Sequence, residues 1–157
     1  MAPFVEGLRA RGIDATAIDL PKRKAEDALP AFHLVVPSER GVAIGGHSFG
    51  GRVASLAAAE LGTPYLALVC FSYPLHPPGS PDRTDARIAH WPAIRCPVLL
   101  LSGESDPFAR FDLLRRTVAN LPHGELVTYP RLGHTLKPVL DDALDRTAAF
   151  LLAAAGQ

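Results

Sequence analysis

Short apolar runs alternate along the chain with stretches whose apolar residues recur every three to four positions. The continuous runs Tyr-Leu-Ala-Leu-Val-Cys-Phe at 65–71 and Pro-Val-Leu-Leu-Leu-Ser-Gly at 97–103 are typical of strands buried on both faces. The pattern predicts strands over 14–20, 41–46, 65–71, 97–103 and 125–130, and helices over 25–36, 49–61, 111–121 and 137–155. Because strands and helices alternate, we expect an α/β fold with a mainly parallel sheet flanked by helices on both faces.

One segment, residues 72–96, interrupts this alternation and is rich in proline and charged residues. It is longer than the roughly two to six residues typical of connections in α/β folds. A small lid over a pocket and a plain surface loop both fit its composition. We expect the whole chain, residues 1–157, to form a single domain, because its length suits one hydrophobic core.

Composition and charge bear on which kinds of molecule the protein could bind. Lys+Arg and Asp+Glu both number 16, so the net charge is zero and gives no electrostatic reason to expect nucleic acid or an anionic membrane. No apolar run approaches the roughly 18 residues of a membrane span, and the first residues lack the apolar core of a secretory signal. The two cysteines, Cys70 and Cys96, lack metal-ligand spacing, and no nucleotide-binding loop is present. We therefore expect a cytoplasmic protein with no metal, no cofactor, no nucleic acid and no membrane partner.

Residues 46–50 have the sequence Gly-His-Ser-Phe-Gly, which is the Gly-x-Ser-x-Gly pattern, between a predicted strand and a predicted helix. In a nucleophile elbow, this pattern places the serine, here Ser48, at the top of a tight strand-to-helix turn. Gly46 and Gly50 are expected there because the residues two before and two after the serine crowd each other. The N–H of Phe49, at the start of the helix, then points at an oxyanion. The alternative is a structural glycine-rich loop.

A nucleophilic serine needs a base, and the base needs a carboxylate that orients it. Asp106 and His134 each follow one of the last two predicted strands, in the order serine, acid, histidine that such folds use. Glu104 is the alternative acid, but Asp106 lies deeper in its loop. His47 is the alternative base, although its side chain should point away from that of Ser48.

Four further side chains are candidates for substrate binding: Tyr73, His76, Trp91 and Phe108. Tyr73, Trp91 and Phe108 would shape an apolar pocket for an acyl group, and His76 would line the lid. The alternative for the three apolar rings is packing in the core, and for His76 a structural or solvent-facing position.

Four stretches carry a resemblance to a known family: Gly-Gly-His-Ser-Phe-Gly-Gly-Arg-Val-Ala-Ser at 45–55, Tyr-Pro-Leu-His-Pro-Pro-Gly at 73–79, the run at 94–108, and Gly-His-Thr-Leu-Lys at 133–137. They are similar to the small α/β-hydrolases related to dienelactone hydrolases. More narrowly, the chain resembles the hydrolase-like domain of testis-expressed proteins, of a chromatin-complex subunit and of bacterial relatives. The resemblance implies Ser48 as nucleophile, Asp106 as acid and His134 as base.

The resemblance also implies an N-terminal strand and loop that the sequence does not show. Residues 1–12 instead resemble the first helix of the family. The strand would lie beside the one that bears the elbow, and its loop would supply a second oxyanion N–H. We therefore expect an α/β-hydrolase fold without its N-terminal strands, with either direct pairing of 14–20 with 41–46 or filling of the gap by another chain.

Three functional hypotheses follow. The first is a serine hydrolase that cleaves a small-molecule ester or thioester through an acyl-enzyme on Ser48. The second is a non-catalytic hydrolase-like interaction domain, and the third is an acyltransferase that uses the same intermediate with an acceptor other than water. The sequence leaves a homo-oligomer open.

Overall fold

The central sheet is parallel and has four strands in sequential order. The computed structural model describes residues 2–156 and contains β1 (Ala43–His47), β2 (Ala67–Phe71), β3 (Val98–Gly103) and β4 (Gly124–Tyr129), with order β1-β2-β3-β4. Each strand pairs in parallel with the next one along the chain. Four of the five predicted strands are thereby confirmed, and their carboxyl ends meet at one edge of the sheet.

Helices cover both faces of this sheet, as predicted. They are α1 (Ala2–Arg9), α2 (Ala25–Val35), α3 (Phe49–Ala58), α4 (Thr84–Ile88), α5 (Phe111–Thr117) and α6 (Leu140–Ala155). Helices α2, α3 and α5 pack on one face, and α6 packs on the other together with α1. The predicted helices at 111–121 and 137–155 each include a short 3₁₀ turn, at Val118–Asn120 and Lys137–Val139.

Successive side chains of a central strand point to opposite faces of the sheet, so each central strand contributes to the cores on both faces. Leu68 and Cys70 of β2 point into the core beneath α3, whereas Val69 and Phe71 point into the core beneath α6. All residues of β2 and β3 are buried, which accounts for their continuous apolar sequences. No helix among residues 2–156 is long and apolar enough to cross a membrane.

The predicted strand at 14–20 does not form, and of the two expected arrangements the direct pairing with 41–46 is absent, while the filling of the gap by another chain stays a prediction. The segment has no strand structure and makes no backbone–backbone hydrogen bond within the described residues, so β1 is an edge strand of the sheet. A cavity of about 1,090 Å³ is lined both by this segment and by β1. Residues 14–20 are bounded by Gly12 and Pro21 as a short strand often is, but a strand also needs a neighbour at hydrogen-bonding distance, and the described residues provide none.

Residues 72–96 are folded and packed against the core beneath α3. They contain α4 and two 3₁₀ turns, Pro81–Arg83 and Trp91–Ala93. Leu75 and Ile94 are fully buried in the same core. The apolar side chains of this segment therefore serve packing, which explains why a proline-rich connection carries them.

Candidate active site

Ser48 lies at a sharp turn between the end of β1 and the start of α3. Its backbone has φ 51° and ψ −113°, a conformation that is rare for residues other than glycine. Its N–H donates to the carbonyl oxygen of Phe71 at 2.8 Å, which ties the turn to β2. Backbone strain of this kind costs on the order of 1–3 kcal/mol and is concentrated at functional sites.

The two glycines of the pattern have different roles. A Cβ on Gly46 would lie 2.7 Å from the carbonyl carbon of Gly50, so glycine is required there. A Cβ on Gly50 would meet nothing within 4 Å, so the expectation that Gly50 must also be glycine is wrong. The crowding is one-sided because position 50 faces open space, where a side chain has room.

This asymmetry gives a prediction for stability. We expect Gly46→Ala to lower the free energy of unfolding by about 2 kcal/mol or more, since backbone must move to relieve the clash. Gly50→Ala should leave it unchanged or raise it by up to about 1 kcal/mol, because alanine favours the helix. Urea denaturation of both variants measures the difference, and equal losses would contradict the one-sided crowding.

The structure brings Ser48, His134 and Asp106 into one hydrogen-bonded row. His134 Nε2 lies 2.8 Å from Ser48 Oγ, and His134 Nδ1 lies 2.8 Å from Asp106 Oδ2. Asp106 is buried, and its other oxygen, Oδ1, accepts the backbone N–H of Phe108 at 2.8 Å. With the carboxylate ionised, Nδ1 carries the proton and Nε2 accepts the serine hydroxyl. This is the geometry in which a histidine can remove the proton of a serine.

Close backbone contact holds the loop that carries Asp106 against the loop that carries His134. The carbonyl oxygens of Leu132 and Gly133 lie where a Cβ on Gly103 would be, so only glycine at the end of β3 allows the approach. The N–H of Ser105 donates to the carbonyl of Leu132 at 2.9 Å. The loop that carries Asp106 is thereby fixed against the loop that carries His134. The sequence analysis did not identify Gly103, although it ends a buried strand just before the acid.

The carboxylate of Glu104, the alternative acid, contacts Thr128 and not His134. Its Oε1 accepts the hydroxyl of Thr128 at 2.9 Å. Thr128 lies on β4 in register with Ser102, so this contact links the ends of two neighbouring strands. The structure thus places Asp106, not Glu104, against His134.

His47 contacts the histidine loop rather than the serine. Its Nε2 donates to the backbone carbonyl of His134 at 3.0 Å, and the two imidazole centroids are 5.1 Å apart. Burial lowers the pKa of His47, and the hydrogen bond to His134 opposes that effect only in part. The ring is therefore neutral near pH 7, with its proton on Nε2. The sequence analysis weighed His47 only as a base and did not predict this contact.

We expect His47 to act as a positioning residue, and the effect is testable. His47→Ala should lower kcat toward an ester by about tenfold or more with KM little changed, because a small displacement of His134 lengthens its bond to the serine. His47→Gln should retain most of the rate, since its amide N–H can reach the same carbonyl. Steady-state kinetics measure both variants, and equal rates for alanine and glutamine would contradict the role.

Phe49, the oxyanion donor expected from the sequence, lies directly after Ser48. It is the first residue of α3, and within residues 2–156 its N–H donates to no protein acceptor. The helix N-terminus adds the positive end of its dipole at the same point. An oxygen anion formed beside Ser48 would meet this N–H.

The four substrate-binding candidates separate into two groups. The Phe108 ring lies against His134 with centroids 4.5 Å apart and is partly exposed at the site. Tyr73 and Trp91 are buried and pack edge to face with centroids 5.1 Å apart. His76 is buried as well, with Nδ1 donating to the carbonyl of Pro77 and Nε2 accepting the N–H of Arg110.

These contacts correct the expectation for three of the four. Tyr73 and Trp91 belong to the core beneath α3, and both ring nitrogens of His76 are used by the backbone. The bond from Arg110 to His76 ties residues 72–80 to the loop after Asp106. Of the four candidates, Phe108 lies against His134, and its contact with a substrate stays a prediction.

Comparisons with known proteins agree with this fold. A family model described as an alpha/beta hydrolase domain matches residues 20–155. No curated protein sequence matches the chain. The chain is similar to the structure of a monoacylglycerol lipase from Paleococcus ferrophilus, with a TM-score of 0.79 and 16% identity over 97% of this chain and 88% of that one.

Two further solved structures are similar over smaller shares of their length. An esterase of Pyrococcus furiosus has a TM-score of 0.73 and 16% identity, over 98% of this chain and 74% of that one. A dienelactone hydrolase from Anabaena variabilis has a TM-score of 0.52 and 26% identity, over 73% of this chain and 47% of that one. The family match spans most of the sequence and includes Ser48, Asp106 and His134. The chain therefore belongs to the alpha/beta hydrolase domain family.

Proposed function

We propose that the protein is a serine hydrolase that cleaves a small-molecule ester or thioester. The observation that carries the proposal is the row of two 2.8 Å contacts from Ser48 through His134 to Asp106. The strained elbow at Ser48 supports it further, as does the N–H of Phe49, which donates to no backbone acceptor within residues 2–156. Esterases, a lipase and a thioesterase domain among the similar structures are compatible with this class of reaction.

The proposed reaction proceeds through an acyl-enzyme. Ser48 Oγ attacks the carbonyl carbon while its proton passes to His134 Nε2, and Asp106 stabilises the imidazolium that forms. The carbonyl oxygen becomes an oxyanion that accepts the N–H of Phe49. Collapse breaks the bond to the alcohol or thiol, which leaves with the proton from His134. Water then adds to the acyl group by the same route and releases the acid and Ser48.

A non-catalytic interaction domain is the second candidate. The observation that favours it is the open edge of β1, because the sequence analysis placed the loop with a second oxyanion N–H on that side. Loss of one donor of this kind typically lowers the rate by about 100- to 1,000-fold. The same acyl-enzyme would also serve an acyltransferase, which product analysis in the presence of an alcohol acceptor would detect.

Labelling with a fluorophosphonate tests the proposal, because the reagent reacts only with a serine whose proton is removed by a base. We expect intact mass spectrometry to show one adduct per chain for the wild type and none for His134→Ala. Heat-denatured wild type is the control for unspecific reaction. A folded wild type, verified by circular dichroism, that takes up no label would contradict the hydrolase and favour the interaction domain.

Three finer statements belong to the same proposal. The segment at 73–79 supports a place in the branch of testis-expressed and chromatin-subunit domains. The balanced charge supports a cytoplasmic protein that acts on a small molecule, without nucleic acid or membrane as partner. The chain acts as one domain, with residues 72–96 beside the site.

A further inference from the structure

His76 is a buried histidine that takes no part in the proposed reaction steps, and yet it contacts the loop that follows Asp106. Its backbone N–H donates to the carbonyl oxygen of Phe108 at 3.0 Å, and its Nε2 accepts the N–H of Arg110 at 3.1 Å. Its Nδ1 donates to the carbonyl oxygen of Pro77 at 2.8 Å. His76 therefore holds the loop after Asp106 at two points and is itself fixed by a third hydrogen bond.

These partners determine which ring nitrogen of His76 carries the proton. A carbonyl oxygen only accepts, so Nδ1 must be protonated to bind Pro77. A backbone N–H only donates, so Nε2 must present a lone pair to Arg110. Within residues 2–156, the N–H of Arg110 makes no backbone–backbone hydrogen bond. The lone pair at Nε2 is therefore the group that holds Arg110.

The loop that His76 holds orients both Asp106 and His134. The N–H of Phe108 donates to Asp106 Oδ1 at 2.8 Å and so fixes the rotation of the carboxylate. The ring of Phe108 lies against the imidazole of His134 with centroids 4.5 Å apart. The carbonyl oxygen of Phe108, on the other side of the same Cα, accepts from His76. A displacement of Phe108 would therefore disturb the carboxylate and the imidazole together.

The two ends of this loop are fixed in different ways. At the first end, the N–H of Asp106 donates to the carbonyl oxygen of Gly103 at 3.3 Å, directly after β3. At the second end, Arg110 is the residue at which α5 begins, and its carbonyl oxygen accepts the N–H of Leu114 at 2.9 Å. His76 joins this second end to residues 72–80. Its ring thus closes the loop on the side opposite β3.

We propose that His76 is a positioning residue, which holds Asp106 in line with His134. The inference rests on the proposed hydrolase, because an effect on rate requires that reaction. Both ring nitrogens of His76 bind backbone groups, so the ring makes no hydrogen bond to the side chains of the row itself. Loss of the clamp misaligns the row, and small displacements of aligned groups lower the rate of proton transfer. His76 should therefore affect kcat rather than KM.

Two substitutions of similar length separate the acceptor from the packing. His76→Gln places an amide oxygen near the position of Nε2, where it can accept the N–H of Arg110, whereas His76→Met fills similar space with a weakly accepting thioether. We expect His76→Met to lower kcat for a p-nitrophenyl ester by about tenfold or more, with KM within about twofold of the wild type. His76→Gln should keep kcat within about threefold.

Arg110→Ala is the matched control at the other end of the hydrogen bond. It keeps the backbone N–H and removes an exposed guanidinium that pairs with Asp112, so kcat should stay within about twofold of the wild type. If His76→Met does not fold, as judged by circular dichroism, His76→Asn replaces it. The asparagine amide can donate to Pro77 but is too short to reach Arg110, so the same loss of kcat is expected.

Three kinetic outcomes would overturn the proposal. Equal losses of kcat in the glutamine and methionine variants would show that the ring of His76 only fills the core. Unchanged kcat in both would show that the loop keeps its shape without the clamp. A rise in KM alone would show that His76 shapes a substrate pocket.

Proton NMR tests the clamp without a substrate. The proton between His134 Nδ1 and Asp106 gives a resonance downfield of the amide region, which His134→Ala identifies by its loss. We expect this resonance to be the same in the wild type and His76→Gln, and to shift or disappear in His76→Met. An unchanged resonance in His76→Met would overturn the proposal. A wild type that takes up no fluorophosphonate would contradict the hydrolase instead, and the resonance then still decides whether His76 holds Asp106.

Discussion

We expect Ser48→Ala to abolish the proposed ester hydrolysis, with a fall in kcat of about 10⁴-fold or more. The reason is that the acyl-enzyme requires the hydroxyl that lies 2.8 Å from His134 Nε2. The hydrolysis of a p-nitrophenyl ester and fluorophosphonate labelling measure the loss. Ser80→Ala, which removes a serine hydroxyl from residues 72–96, should leave both within about twofold.

A second substitution at the same position separates chemistry from backbone strain. Ser48→Gly should be as inactive as Ser48→Ala but more stable, by about 1 kcal/mol, because glycine adopts φ 51° without a Cβ clash. Urea denaturation of the two variants gives the difference. Activity that survives in either variant would show that another residue is the nucleophile, and equal stability would show that the turn is not strained.

The second large effect is expected for Asp106→Asn, which should lower kcat of the proposed reaction by about 10³- to 10⁴-fold. The amide can still accept the N–H of Phe108, so the loop keeps its shape. It cannot stabilise the imidazolium of His134, and it does not hold the tautomer whose Nε2 accepts the serine proton. The rate of ester hydrolysis at constant pH measures the effect.

Glu104→Gln is the matched control for the acid. Its carboxylate bonds to Thr128, and a glutamine carbonyl can accept the same hydroxyl, so we expect a rate within about threefold of the wild type. A large loss in Glu104→Gln together with an active Asp106→Asn would reverse the assignment of the acid.

Much of the fold could be predicted because its signals are local. The runs at 65–71 and 97–103 are apolar on both faces, as is required of strands that helices cover on both sides. They contain β2 and β3. The segment at 14–20 was also predicted as a strand from its local sequence, and yet it forms none. Its failure was not predictable, because a strand depends on hydrogen bonds to a neighbour far along the chain.

The candidate site divides in the same way. The order Ser48, Asp106, His134 follows from which residues succeed which strands, and parallel strands bring those ends together. The direction in which each side chain points was harder to predict from the sequence. Tyr73 and Trp91 have the same aromatic character in a pocket as in a core, and only packing decided that they are buried.

The sequence by itself determined the layered α/β architecture and which residue types stand at the carboxyl edge of the sheet, because both depend on short-range patterns. The tertiary structure decided that Asp106 rather than Glu104 faces His134, that His47 binds the histidine loop, and that Gly46 but not Gly50 must be glycine. It also decided that β1 is an edge strand that lines a cavity. These features depend on contacts between residues distant in sequence, where a change of a few ångströms makes or breaks a hydrogen bond.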